Sequence, residues 1–140
     1  MLFKLPAAWL MGVNVSMINN SDCICTLKYR WINQNPFKSI FWAAQGMAAE
    51  FATGVLLMRE IELSKKNISM LLVDVEAKFT KKAIGIISFK CNKGLIIKEK
   101  IGSLNSQKTK STMWIDSIGI DETGEEVSKF KFNWSILIKI

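Results

Sequence analysis

The residues able to do chemistry concentrate in one stretch, Asn35 to Met58, NPFKSIFWAAQGMAAEFATGVLLM. Its opening Asn-Pro sets a turn and then a helix start. From Ile40 to Met58 nearly every residue is apolar or small, and Glu50 is the only charge between Lys38 and Arg59. A carboxylate in the middle of an uncharged helix is expensive to bury. Either it faces water through a gap, or it is paired in a core, or it is there for chemistry. On a helical wheel Glu50 shares its face with Ala43, Gly46, Met47, Thr53, Gly54 and Leu57. That face is mostly small, so a ligand can come close to the backbone. Gln45 and Thr53 are the polar neighbours that could position a water. The opposite side, with Phe41, Ala44, Ala48, Phe51 and Val55, reads as the face packed into a core. A membrane span has about this length, but the central Glu and the charged strands that follow argue against one.

The chain contains no histidine. That excludes a Ser-His-Asp triad, a Cys-His pair and any zinc site built on His. Acid–base work falls to Asp, Glu, Lys, Tyr or Cys. The three cysteines, Cys23, Cys25 and Cys91, fit no zinc spacing. Cys23 and Cys25 lie on one face of an expected strand, and all three read as small buried hydrophobes in a reducing cytoplasm. No metal site is expected.

The net charge is +7, and only Arg30 and Arg59 are arginines. A Lys-rich, Arg-poor surface suits diffuse attraction of an anion better than base reading. The basic residues are scattered and not interleaved with aromatics, so a nucleic-acid partner is not expected. Lys81 and Lys82 form a basic turn, readable either as a solvated loop or as a place for phosphates.

The elements that must hold Glu50 follow from periodicity. The chain of 140 residues suffices for one domain, residues 1–140, with a substantial core. Pro6 and Gly12 frame a short helix better than a signal peptide. Val13, Val15 and Met17 alternate; Asn20-Ser21-Asp22 turns the chain; Cys23, Cys25, Leu27, Tyr29 and Trp31 alternate back, giving a hairpin. After the apolar helix come strands over Ser69–Phe79, with Leu71, Val73, Val75, Ala77 and Phe79 on one face, and over Ala83–Cys91. Leu95–Leu104 is ambiguous between helix and strand. Ser111–Ile120 is a strand. Val127–Ile140 is the clearest period-two run, placing Phe130, Phe132, Trp134, Ile136, Ile138 and Ile140 together. One long helix among six strands implies an α+β layout, an antiparallel sheet wrapped around that helix.

This pattern resembles the hotdog fold of acyl-CoA thioesterases. The phenylacetyl-CoA-degradation type carries Asn-x-x-Gly-x-x-His-Gly-Gly ahead of its central helix, and a catalytic acid nine residues after the His. Here Asn35 takes the Asn place and Glu50 the acid place. Lys38 replaces the first Gly, Phe41 the His, and Trp42-Ala43 the Gly pair. FWAAQGMAAEFATG, with PFKS before it, FTKKA after it and LPAAW…G early on, is closer to an uncharacterised bacterial branch lacking His-Gly-Gly. The resemblance covers essentially the whole chain from Gly12.

It implies Glu50 as base or nucleophile and the peptide N–H of Ala43, with Trp42 second, as the oxyanion donor at a helix N-terminus. Asn35, Phe41, Gln45, Gly46, Thr53, Lys81 and Lys82 would then contact the substrate, the lysines meeting the phosphates of coenzyme A. No cofactor is implied beyond the coenzyme A of the substrate. A cytoplasmic homodimer or dimer of dimers with sites between subunits is implied as well. The alternative is a hotdog protein that binds acyl-CoA or a fatty acyl chain without hydrolysing it.

Overall fold

The computed structural model describes residues 5–140; the first four residues of the expected N-terminal helix lie outside them. Element order is α1 (Pro6–Met11), β1 (Asn14–Ile18), β2 (Cys23–Lys28), α2 (Trp42–Ser64), β3 (Ile68–Phe79), β4 (Ile86–Cys91), α3 (Gly94–Gly102), β5 (Lys110–Ile120) and β6 (Glu126–Ile138). The six strands form one antiparallel sheet in the order β1-β2-β4-β5-β6-β3. The long helix α2 lies against its inner face. The α+β layout and the single wrapped helix are as expected.

Small residues let the helix sit down on the sheet. Ala44, Ala48, Ala49 and Ala52 are fully buried. A Cβ on Gly46 would stand 3.5 Å from the Phe130 ring, and one on Gly54 3.6 Å from that of Trp134. Phe130, Phe132, Trp134 and Ile136 of β6 fill the space beneath, with Phe130 and Phe132 stacked at 5.9 Å. The indole N–H of Trp134 donates to Thr53 Oγ1 (3.0 Å), and that hydroxyl donates to the Glu50 carbonyl (2.8 Å). The buried indole is thus satisfied within the core, as a buried donor must be. The same strand's Ile140 falls past its end and is exposed.

Three expectations are corrected and one ambiguity is resolved. First, β2 ends at Lys28, and Trp31 is not an inward residue but 82% exposed. The cause is Asn33, fully buried, whose amide donates to the carbonyls of Lys28 (2.9 Å) and Met11 (3.1 Å) while its oxygen accepts from the Arg30 N–H. That network turns the chain into a 3-10 turn at Trp31–Asn33. Second, a bulge between Leu72 and Asp74 splits the β3 alternation. Met70 and Leu72 face inward before it, opposite Ile136 and Trp134; Val75 and Ala77 pair with Phe132 and Phe130 after it. Third, Leu95–Leu104 resolves mostly as helix α3, with Ile97, Ile101 and Leu104 buried. Its first residue is Gly94, where any Cβ would collide with the Asn20 carbonyl. Lys66 Nζ donates to the carbonyls of Ile101 (3.0 Å) and Leu104 (2.9 Å) at its other end. Fourth, Phe51 and Val55 are half-buried and not in the core, whereas Thr53 and Leu57 are fully buried. The wheel was rotated by about one residue.

Among the described residues, no helix is long and apolar enough to cross a membrane. The α2–β6 contact is closed by the bond from the Trp134 indole to Thr53. Trp134→Ala is expected to cost about 3–5 kcal/mol of unfolding free energy, read from urea denaturation; a loss well under ~1 kcal/mol would show that the indole is not packed as described.

Candidate functional site

Glu50 sits on the half-covered side of α2, one turn from Met47 and from Gly54. It opens into a cavity of about 320 Å³ walled by Met47, Phe51, Val55, Met58, Met70 and Trp134, with Pro6 and Ala8 of α1 as the roof. Every other lining side chain is apolar. Among the described residues no hydrogen bond or ion pair reaches the Glu50 carboxylate. Burial pushes its pKa up from the ordinary Glu value, because an apolar wall disfavours the charged form. The carboxyl is therefore a stronger base than a free glutamate.

The start of α2 forms a second feature. Phe41 occupies the N-cap and supplies no side-chain cap. The Gln45 N–H is the first to close a helical bond, onto the Phe41 carbonyl (3.2 Å). The N–H groups of Trp42, Ala43 and Ala44 are thus without partners among the described residues. The entry to the helix is anchored by Ile40 N–H on the Ala83 carbonyl and Phe41 N–H on the Asn33 carbonyl, both 2.8 Å. A cavity of about 470 Å³ lies over this end, lined in part by Phe41, Trp42, Gln45, Phe79 and Lys82. Gln45 is 4% exposed; its amide donates to the Ile40 carbonyl (3.2 Å), and its oxygen has no partner.

These two features do not meet in one chain. Ala43 and Glu50 are seven residues apart, about 10 Å along the axis; Glu50 lines one cavity, and Trp42, the neighbour of Ala43, lines the other. Of the other expected contacts, Asn35 is spent on its own loop: its oxygen accepts from the Phe37 N–H (2.9 Å) and its amide donates to Ser39 Oγ (2.9 Å). Thr53 is sealed between Trp134 and the Glu50 carbonyl, so it does not position a water. Gly46 provides close packing against Phe130. Lys81 lines the cavity at the start of α2 beside Lys82. Its ammonium is held by Asp121 (2.7 Å) and Glu125 (3.1 Å), which raise its pKa while Lys81 holds Asp121 well below the usual carboxylate range. Lys82 is exposed and has no ion pair among the described residues.

Of the cavity walls on α2, the helical wheel placed Met47 and Gly54 on the Glu50 face but not Phe51, Val55 or Met58. Met47, Phe51, Val55 and Met58 recur with Glu50 and Gly54 at the three- and four-residue spacing of one helix face, which is the signal that could have found them. The cysteines are free and buried, with Cys23 opposite Cys91 across β2 and β4. A bond with Cys23 and burial push the Cys25 thiol up, and burial pushes Cys91 to about 12. Among the described residues no group of three or more Cys, Asp or Glu side chains is placed to hold a metal ion.

Comparison with known proteins gives a family and a fold. The family model described as a domain of unknown function, DUF4442, matches residues 1–136. No curated protein matches the sequence. Among solved structures, a protein of unknown function from Pseudomonas aeruginosa, named a probable thioesterase, superposes with a TM-score of 0.87 at 14% identity, over 99% of this chain and 91% of its own. A protein with unknown function from Chlorobaculum tepidum gives 0.84 at 15%, over 98% and 89%. A thioesterase from Haemophilus influenzae gives 0.70 at 10%, over 94% and 82%. With these likenesses the antiparallel sheet around α2 is the hotdog fold.

The buried carboxyl has a pH signature. A raised pKa means that the folded state prefers neutral Glu50. Its contribution to stability is present below the ordinary Glu pKa, about 4.3, and is lost as pH rises through the raised value. Glu50→Gln removes that dependence. The variant is expected to melt with the parent in acid and above it at pH 7, measured as melting temperature against pH. A variant that melts lower at pH 7 would mean that Glu50 is a structural partner.

Proposed function

The chain belongs to the DUF4442 family, and from that premise and the geometry of α2 we propose that it hydrolyses an acyl-CoA thioester as a homodimer. The observation that carries this reading is the Glu50 carboxyl, unpartnered among the described residues and raised in pKa in an apolar cavity. The uncapped start of α2 supports it from the other side. The thioesterase names of two similar folds support it as well.

In this reading the acyl chain lies along Met47, Phe51, Val55 and Met70. Glu50 takes a proton from a water that attacks the thioester carbonyl. The carbonyl oxygen becomes an oxyanion held by the N–H of Ala43, with that of Trp42 beside it. The C–S bond then breaks, the thiolate of coenzyme A takes the proton back from Glu50, and the carboxylic acid leaves. Direct attack by Glu50, with an acyl-enzyme anhydride hydrolysed afterwards, uses the same groups. Lys82 meets the anionic end of coenzyme A in place of Lys81.

Acid and donor come from different copies. Strand β3 is an edge strand, and its Leu71, Val73, Val75 and Phe79 are exposed. Such an edge is a template for another strand. Met70 at one end of β3 lines the Glu50 cavity, and Phe79 at the other lines the cavity at the start of α2. Two β3 strands paired antiparallel about a two-fold axis near Val75 bring the Met70 end of one copy beside the Phe79 end of the other. Glu50 then faces the partner's free N–H groups.

Two measurements test this. Glu50→Gln is expected to lower acyl-CoA hydrolysis by about 100-fold or more, the usual worth of a general base; hydrolysis at the parent rate removes Glu50 from the mechanism. Glu50→Gln and Ala43→Pro, each inactive alone, are expected to recover about a quarter of parental activity when unfolded and refolded together, because each mixed dimer contains one intact site. No recovery would place both groups in one chain. If the parent turns over no acyl-CoA yet its melting temperature rises with one, the protein is a binding module.

A further inference from the structure

The outer side of α1 and the turn after β2 leave large apolar side chains in water. Trp9 is 53% exposed and Leu10 51%, and Trp31 is more exposed than either. The two elements adjoin: Asn33 at the end of the turn donates to the carbonyl of Met11, the last residue of α1, and the Arg30 guanidinium lies 3.3 Å from where a Gly12 Cβ would be. The charge on these segments is mainly basic, with the Glu122 carboxylate, bonded to the N–H of Ile86 opposite Lys28, as an acidic neighbour. Lys28, Arg30 and Lys38 are exposed, and no ion pair among the described residues engages them. Between Leu5 and Ala49 the only acidic residue is Asp22, at the far end of β2.

We infer that α1 and the Trp31–Asn33 turn form a docking surface for an anionic lipid bilayer. Indole rings prefer the headgroup level, where the ring is apolar and its N–H is wet. An apolar insertion combined with basic residues supplies the two weak signals that membrane attachment needs. A second copy of the chain does not suit this face. A two-fold contact would set Lys28, Arg30 and Lys38 against their own counterparts, whereas acidic headgroups complement them. The inference does not depend on hydrolysis. It has a geometric consequence: Pro6 and Ala8 on the inner side of α1 roof the Glu50 cavity, so docking brings that cavity to the lipid boundary.

The test uses the full chain with vesicles of phosphatidylcholine alone or mixed with phosphatidylglycerol, read by co-sedimentation and tryptophan emission. Binding to the anionic vesicles is expected, with a blue shift, with much weaker binding to neutral vesicles and with loss at high salt. Trp9→Ser with Trp31→Ser should weaken binding at least about tenfold. Lys28→Gln and Lys38→Gln, which leave the apolar surface intact, should each weaken it about fivefold. No sedimentation with anionic vesicles at low salt overturns the inference, as does undiminished binding by both sets of variants. A change from dimer to monomer in the tryptophan variant, seen by light scattering, would assign the face to a second copy and overturn it as well.

Discussion

One helix can cover a curved sheet only along one of its sides, and that constraint shapes the molecule. The alanines of α2 and its two close-packed glycines bring the backbone onto Phe130 and Trp134. The closer the contact, the more completely one side is buried and the more sharply the other is left over. What is left over is the row Met47, Glu50, Phe51, Gly54, Val55 and Met58. An apolar row against water would be a liability. Here α1 folds over part of it, and a cavity remains whose only charged wall is Glu50. The site is the unburied remainder of the core.

This explains what could and could not be read from the sequence. Strand β6 was legible because it is long and its apolar residues recur at every second position from Phe130 to Ile138. The position of Glu50 was legible because a lone charge in an apolar run stands out whatever the rotation of the helix. The rotation itself was not. The residues flanking Glu50 on both sides are apolar, so a helical wheel has no polar arc to mark the outside; Phe51 and Val55 look like core until the sheet is in place. Trp31 misled for a related reason. Its alternation with Tyr29 and Leu27 is real, but the buried amide of Asn33 claims the Lys28 carbonyl and ends the strand. Hydrogen bonding over a few residues overrode a hydrophobic pattern.

Charge was read less well than shape. Lys81 and Lys82 are adjacent and chemically alike, yet among the described residues only Lys81 is held in ion pairs. The turn at Asp121–Gly124, forty residues away in sequence, folds back and neutralises Lys81. Nothing local to Thr80–Lys82 encodes that pairing, because it is made by the β5–β6 turn. The bulge in β3 belongs to the same class. Its register shift shows only against β6, where one strand is a residue longer than the other between Leu72 and Asp74.

The start of α2 gives the argument its last step. Helices of this length are usually capped by Ser, Thr, Asp or Asn, and a missing cap costs about 1 kcal/mol. This chain has Asn35 and Ser39 close by, but they bond to each other and to their own loop. The N-cap is Phe41, which has nothing to donate or accept in its side chain. The free N–H groups of Trp42 and Ala43 therefore stay open to a ligand, together with the positive end of the helix dipole. A purely structural helix would be expected to close that end. The same holds for Glu50, which carries a desolvation cost that a Gln or Leu would avoid. Two separate departures from the most stable choice, on one helix, one an acceptor and base and the other a donor, are complementary in chemistry and about two turns apart. Stability within one chain explains neither. In the proposed reading, a substrate carbonyl held between two copies would use both, the donor stabilising the charge that the base creates.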